Sequence, residues 1–309
     1  MQVIHEPARL AELLDQARAD GGRVGLVPTM GALHAGHQTL IRRAAAECDV
    51  VAVTVFVNPL QFDDAADLAA YPRTFPEDAV VAESAGATYL FAPSVAEMYP
   101  EHPRPPATTV HVAGLGHQFE GASRPGHFDG VATVVTKLLA LAGRCRAYFG
   151  EKDFQQLVVV RRLVADLCLP VEVVGCPTWR EPDGLATSSR NTRLTAEQRA
   201  VAPALFASLR RAVELVEAGE RQPAVLRQAM AAELGRHEEV VVDYAEVVDP
   251  VTFAVPDRLT GPARLVVAAR IGDVRLIDNL GVDATVPAAF SPADPRSGSA
   301  AVLVSGRSM

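Results

Sequence analysis

Val24-Gly25-Leu26-Val27-Pro28-Thr29-Met30-Gly31-Ala32-Leu33-His34-Ala35-Gly36-His37-Gln38-Thr39-Leu40-Ile41 is the stretch on which the fold turns. Val24 to Val27 reads as a short strand and Pro28 to Gly31 as a turn. His37, Leu40, Ile41 and Ala44 then share one face of a helix. The next apolar run, Val50 to Val57, is β-branched and suits a strand covered on both sides. Strand, helix and strand in that order make a β-α-β unit.

The alternation extends both ways. Upstream, Leu10, Leu13, Leu14 and Ala17 repeat at helical spacing until Gly21-Gly22 stops them. Downstream come a helix around Glu77 to Ser84, a strand at Thr88 to Phe91, a helix carrying Val131, Val134, Val135 and Leu138, and a strand at Ala147 to Phe149. A helix with Leu157, Val160, Val164 and Leu167 leads to a strand at Val171 to Val174. The pattern predicts an α/β fold, a Rossmann-like doubly wound parallel sheet with its ligand crevice beyond the strands' carboxyl ends. His34 and His37, Asn58 and Gln61, and Lys152 and Asp153 follow three different strands, so three loops should converge on one edge.

The character changes after about Pro177. Thr195-Ala196-Glu197-Gln198 is a capping box expected to open a long helix, and a second helix runs from about Pro223 to Leu234. Val240 to Val248, Arg264 to Ile271 and Val274 to Ile277 read as antiparallel strands, the last two joined at Gly272-Asp273. The expected domains are 1–177, Rossmann-like, and 178–285, a smaller α+β C-terminal unit, followed by a flexible tail over 286–309. A chain of 309 residues makes two domains the default.

Hydrophobic residues at 49% and charged residues at 21% are ordinary for a folded protein. The net charge of −8 disfavours broad attraction to nucleic acid or anionic lipid, so a phosphate ligand must be held by local groups. Val50 to Val57 is too short to span a bilayer and the first residues lack a secretory pattern, which makes the cytoplasm the expected compartment. Cys48, Cys145, Cys168 and Cys176 form no CxxC pair and read as reduced structural thiols.

Four blocks can carry chemistry. A helix opening near His34 offers N–H groups and a partial positive charge to phosphate oxygens, to which both imidazoles add hydrogen bonds. His-x-x-His can also place two metal ligands on one face, but no third ligand is supplied nearby. Asn58 and Gln61 end an apolar strand, where amides commonly do no more than satisfy loop backbone. In Gly150-Glu151-Lys152-Asp153 the lysine can neutralise phosphate and the aspartate can hold Mg²⁺ or cap a helix. Thr187-Ser188-Ser189-Arg190 gathers hydroxyls and a guanidinium suited to a β/γ-phosphate, although interdomain loops are also Ser-rich for solubility.

His34-Ala35-Gly36-His37 matches the His-x-Gly-His motif of the nucleotidylyl transferase superfamily. The blocks together, with Glu120-Gly121-Ala122-Ser123-Arg124-Pro125-Gly126-His127-Phe128-Asp129-Gly130, resemble the pantothenate synthetase family over Val24 to Leu280. The resemblance implies an ATP-dependent ligase that condenses pantoate with β-alanine through a pantoyl adenylate, giving pantothenate, AMP and pyrophosphate. It also implies Mg²⁺ as cofactor and a homodimer.

By resemblance His34, His37, Lys152 and Arg190 are the catalytic set. With Met30, Gly150, Asp153, Ser188 and Ser189 they hold ATP. Gln61 and Gln156 hold pantoate, joined by Asn58 and Arg124; Tyr71 and Glu120 lie near the acyl pocket, and Asp78 and Asp153 are the metal candidates. Thr187 stands where the family usually has methionine, and Thr192-Arg193 replaces a pair that usually ends in tyrosine. The competing readings are a different nucleotidylyl transferase acting on a phosphate ester and a nucleotide-binding regulator without turnover. Composition and periodicity alone reach only a two-domain, phosphate-binding α/β protein.

Overall fold

The computed structural model describes residues 1–62 and 65–285. The tail expected from Val286 lies outside them. Strands and helices alternate as β1 (Gln2–Ile4), α1 (Pro7–Ala19), β2 (Val24–Val27), α2 (Ala35–Glu47), β3 (Val50–Thr54), α3 (Ala65–Ala70), α4 (Phe75–Ser84) and β4 (Tyr89–Phe91). The chain continues through α5 (Val95–Met98), α6 (Glu120–Ser123), α7 (His127–Ala142), β5 (Cys145–Gly150), α8 (Phe154–Asp166) and β6 (Val171–Cys176). Last come α9 (Ala196–Val201), α10 (Ala204–Glu217), α11 (Pro223–Leu234), β7 (Val240–Val248), β8 (Pro262–Ile271) and β9 (Val274–Asp283).

The first six strands form one parallel sheet in the order β1-β4-β3-β2-β5-β6. All four residues of β2 are buried, as both-face cover requires. On one face Leu10 and Leu14 of α1, Val131 to Leu139 of α7 and Leu157 to Leu163 of α8 pack on Val24, Leu26 and Ala147. On the other, Leu40, Ile41 and Ala44 of α2 and Ala82 of α4 pack on Val27, Val51 and Val53. From β2 the chain winds outward to β3 and β4, then returns so that β5 lies on the opposite side of β2. The winding reverses between β2 and β5, and a crevice opens there beyond the strand ends.

The second sheet is antiparallel, β7-β8-β9. Leu265, Val267 and Ala269 of β8 and Val274 and Leu276 of β9 face α10 and α11. By the two-residue period, Arg264 and Val266 of β8 and Arg275, Ile277 and Asn279 of β9 face the other way, towards the carboxyl ends of the parallel sheet. Ion pairs join the sheets there: Arg275 to Glu120 and Arg264 to Glu151.

Three sequence expectations differ in detail. The capping box at Thr195 forms, but the helix it opens ends at Val201 and α10 starts after Pro203. Proline has no N–H to continue the ladder and its ring crowds the preceding turn. The strand expected to reach Val57 ends at Thr54, and the one expected to stop at Ile277 runs to Asp283. β1 pairs in parallel with β4 and had no sequence signal beyond three residues.

A tight backbone approach below the crevice is at Gly130 of α7, where an added Cβ would collide with the Leu60 carbonyl and the Gln61 nitrogen. Gly130→Ala is expected to lower unfolding free energy by about 1–3 kcal/mol, because the 3-10 turn at Pro59–Gln61 must give way. Urea unfolding reads the loss, and an unchanged midpoint would show that the turn yields freely.

Candidate active site

The turn after β2 is held from below by Asp78 of α4. Its carboxylate, 2% exposed, accepts the Ala32 N–H at 3.1 Å, the Leu33 N–H at 2.7 Å and the Thr74 hydroxyl at 3.3 Å. Asp78 therefore braces the turn with both oxygens. Gly31 sits at φ 85°, and a Cβ there would lie 2.9 Å from the Asp78 carboxylate, so the brace requires glycine.

The turn delivers His34 as the N-cap of α2. The Gly36 N–H donates to His34 Nδ1 at 3.2 Å, and the His34 N–H donates to His37 Nδ1 at 3.3 Å. This is a capping box built from two imidazoles, with ring centroids 4.0 Å apart. Each ring spends its Nδ1 lone pair on backbone, so each neutral ring carries its proton on Nε2. Burial, then Lys152, pushes the His34 pKa down to about 4. Burial, then His34, pushes that of His37 down to about 3. Both rings are uncharged donors at neutral pH.

After β5 a 3-10 turn, Glu151–Asp153, presents Lys152 and Asp153 at the other side of the crevice, with Lys152 Nζ 3.2 Å from the Asp153 carboxylate. Asp153 occupies the N-cap position of α8 but makes no side-chain cap hydrogen bond, so the simple cap reading fails. Its pKa is drawn upward by burial, yet Lys152 and Arg190 outweigh that and keep it below the usual carboxylate range.

The amides after β3 form a chain of fixed polarity. Tyr99, 4% exposed, donates its hydroxyl to Asn58 Oδ1 at 2.9 Å. Asn58 Nδ2 donates to Gln61 Oε1 at 2.9 Å and to the Gly130 carbonyl at 3.0 Å. The backbone carbonyl of Gln61 accepts from His127 Nδ1 at 2.9 Å and from Arg124 at 3.1 Å. With Oε1 committed, Gln61 turns its Nε2 donor towards the crevice. Asn58 is fully buried behind Gln61, and Arg124 grips Gln61 from its backbone.

One cavity of about 210 Å³ is lined by Met30, His34, His37, Gln61, Tyr71, Gly150, Lys152, Asp153, Gln156, Ser188, Ser189 and Arg190. The sequence blocks thus meet in one place. Lys152, Asp153, Gln156 and Arg190 also line a pocket of about 50 Å³ that includes Glu120 and Arg124. A third cavity, about 330 Å³, shares Lys152, Ser188 and Arg190 and opens towards Arg193, Arg270 and Arg275 of the second sheet's side. Glu120 is not free in it: Arg275 grips both its oxygens at 2.7 Å and the Tyr244 hydroxyl donates at 2.8 Å.

The chain matches the family model described as pantoate-beta-alanine ligase over residues 2–281. The chain belongs to the pantoate-beta-alanine ligase family. It is an enzyme of that family. A pantothenate synthetase of Cereibacter sphaeroides is 52% identical over 280 residues, 91% of this chain and 99% of that one. One from Chelativorans sp. is 55% identical over 269 residues, covering 86% and 92%. The crystal structure of pantothenate synthetase from Thermus thermophilus superposes with a TM-score of 0.84 at 47% identity, covering 91% and 99%. A Francisella tularensis pantoate-beta-alanine ligase, complexed with beta-gamma ATP and beta-alanine, gives 0.73 at 32% identity, covering 91% and 97%.

The two departures from the ligase family pattern have definite places. Thr187 lines the 210 Å³ cavity beside Thr178, and both hydroxyls are buried without a protein partner. Arg193 pairs with Asp67 of α3 at 3.1 Å, tying the Ser188–Arg193 segment to the opposite rim. Sequence reasoning missed Tyr99, His127, Arg264, Arg275 and Asn279. His127 sat in a quoted motif, but the others lie in stretches whose only signal was strand alternation or a loop. No group of three or more metal-binding side chains occurs among the described residues, and no helix there is long and apolar enough to cross a membrane.

The lowered histidine pKa values set a pH dependence of stability. The unfolded chain takes up protons on these rings below about 6.5, whereas the folded rings resist until about 4 and about 3. Their contribution is complete above about pH 6.5 and is lost as the pH falls through that window. His37→Gln, which keeps a neutral acceptor for the His34 N–H, is expected to flatten the fall in urea midpoint between about pH 7 and pH 5. Parallel slopes for the two proteins would mean that His37 ionises normally in the fold.

Proposed function

We propose that the crevice activates pantoate with MgATP as pantoyl adenylate and then transfers the acyl group to β-alanine, yielding pantothenate, AMP and pyrophosphate. The observation that carries this is the convergence of His34, His37, Lys152, Gln61, Gln156 and Arg190 on one cavity. The phosphates lie between the two Nε2–H donors of the histidines and the charges of Lys152 and Arg190, with Ser188 and Ser189 adding hydroxyls. Met30 and Gly150 complete the nucleotide's surroundings, and Thr178 and Thr187 offer it two unpaired hydroxyls.

Gln61 and Gln156 orient the acid. A pantoate carboxylate is already ionised at neutral pH, so its attack on the α-phosphorus needs no general base. One carboxylate oxygen forms the new O–P bond as the bond to the bridging oxygen breaks and pyrophosphate leaves. Charge grows on the phosphoryl oxygens and the leaving group, where preorganised donors are most effective. In the second step the neutral amine of β-alanine attacks the acyl carbon, the amide forms, and AMP departs.

Asp153, which lines the cavity beside Lys152, would be the carboxylate to hold a Mg²⁺ bound with ATP, and the ion would there offset phosphate charge. Asp78, with both oxygens holding the turn, acts instead as the brace for His34. Asn58 and Arg124 act on pantoate through Gln61, while Glu120 fixes the second sheet beside the acyl end and Tyr71 closes the cavity wall. Residues 178–285 form the unit that covers the labile adenylate against water.

Mixing the protein with MgATP and pantoate should release pyrophosphate, and adding β-alanine should give AMP and an amide in equal amounts. Lys152→Ala and His34→Ala are each expected to cut pantoate-dependent exchange of labelled pyrophosphate into ATP by roughly 10²–10³-fold. Near-normal exchange in both would remove the phosphate assignment. Gln61→Ala should weaken pantoate binding more than ATP binding in equilibrium titration. Tyr99→Phe, which takes the strongest donor from Asn58 Oδ1 and loosens the amide behind Gln61, should do the same by about two- to tenfold; equal weakening of both ligands would refute the amide chain.

A further inference from the structure

Lys152 stands on a turn that does not hold itself. Glu151–Asp153 is a single 3-10 turn, and Asp153 leaves it at φ −98°, ψ 63° without a side-chain cap. A lysine on such a turn would sweep a wide arc, yet its side chain is only 16% exposed.

The restraint comes from the second sheet. Asn279 of β9, 3% exposed, donates its Nδ2 to the backbone carbonyls of Glu151 at 3.0 Å and Lys152 at 2.8 Å. Its Oδ1 accepts from Arg264 Nε at 2.7 Å. Arg264 also reaches the Glu151 carboxylate at 3.0 Å and stacks on the Phe154 ring at 4.1 Å, so both flanks of the turn are held. Behind Asn279, its own N–H donates to Asp278, and Arg180 grips that carboxylate at 2.6 and 2.9 Å. Asn279 thus has both amide protons, its amide oxygen and its backbone N–H engaged. A buried amide so fully satisfied has one orientation available.

We infer that Asn279 is a positioning residue for the first chemical step, clamping the Glu151–Lys152 backbone from β9 so that the Lys152 ammonium is held at the nucleotide phosphates. The inference rests on the reading that Lys152 binds those phosphates. It makes the second sheet a working part of the phosphate site as well as its cover. Loss of the clamp leaves the lysine charge present but spread over many positions, so affinity for the triphosphate falls further than affinity for the acid, which Gln61 on the β3 side still holds.

A double-mutant cycle distinguishes this from a role as glue between the sheets. MgATP binding is titrated for the unaltered protein, Asn279→Asp, Lys152→Ala and the double variant. Asn279→Asp keeps the volume but turns an acceptor towards two carbonyls. It should weaken MgATP about tenfold alone and less than about twofold when Lys152 is already alanine, with a smaller loss of pantoate affinity. Equal losses in both backgrounds, or no loss at all, would overturn the clamp. A Lys152→Ala protein with full MgATP affinity would overturn the phosphate reading and the clamp together. Should Asn279→Asp not fold, Arg264→Lys, which loosens the clamp from behind, runs through the same cycle with the same criterion of non-additivity.

Discussion

The site depends on one local economy: His34 and His37 each accept a backbone N–H of the turn that carries them. The helix start needs acceptors for its unpaired N–H groups, and the two Nδ1 atoms supply them. That leaves both Nε2 protons as donors and makes protonation costly, since a second proton would displace the cap. Both rings therefore stay neutral donors across the physiological pH range.

The amides obey the same logic from the other side of the sheet. Tyr99 can only donate to Asn58 Oδ1 if it is to satisfy its buried hydroxyl, Asn58 must then offer its NH₂ to Gln61, and Gln61 must offer its own NH₂ to the crevice. Polarity is passed along a chain of buried groups, each of which would be left unpaired if the next were reversed. His127 and Arg124 hold the backbone of Gln61 while this happens. Both histidines and Gln61 therefore reach the cavity with their hydrogen-bond direction already set.

The second sheet joins through charges that are themselves paired. Arg275 on Glu120, Arg264 on Glu151 and Arg180 on Asp278 are largely shielded, and each arginine also has a neutral partner. Buried pairs of this kind add little stability for their desolvation, and they bridge β8 and β9 to the Lys152 turn and to α6. Arg193 with Asp67 is the exposed counterpart at the rim, where an ion pair is weak and readily exchanged.

The sequence by itself determined the alternation of β2, α2 and β3, the placement of His34, Gln61 and Lys152 after three strands, and the change of character beyond Pro177. Apolar period and turn residues are local properties, and a parallel sheet brings its strand ends to one edge whatever the intervening loops. Local patterns also misjudged lengths, at Thr54 and along β9 because strand ends are decided by pairing partners, and at Pro203 because proline interrupts the helix ladder. Only the tertiary structure decided that Asp78 braces a turn, that Asn58 stands behind Gln61 and that Asn279 clamps the Lys152 backbone. Each of these is a buried polar group held by a partner far away in the chain, Leu33 for Asp78, Tyr99 for Asn58 and Lys152 for Asn279, and its role is set by which neighbour can satisfy it.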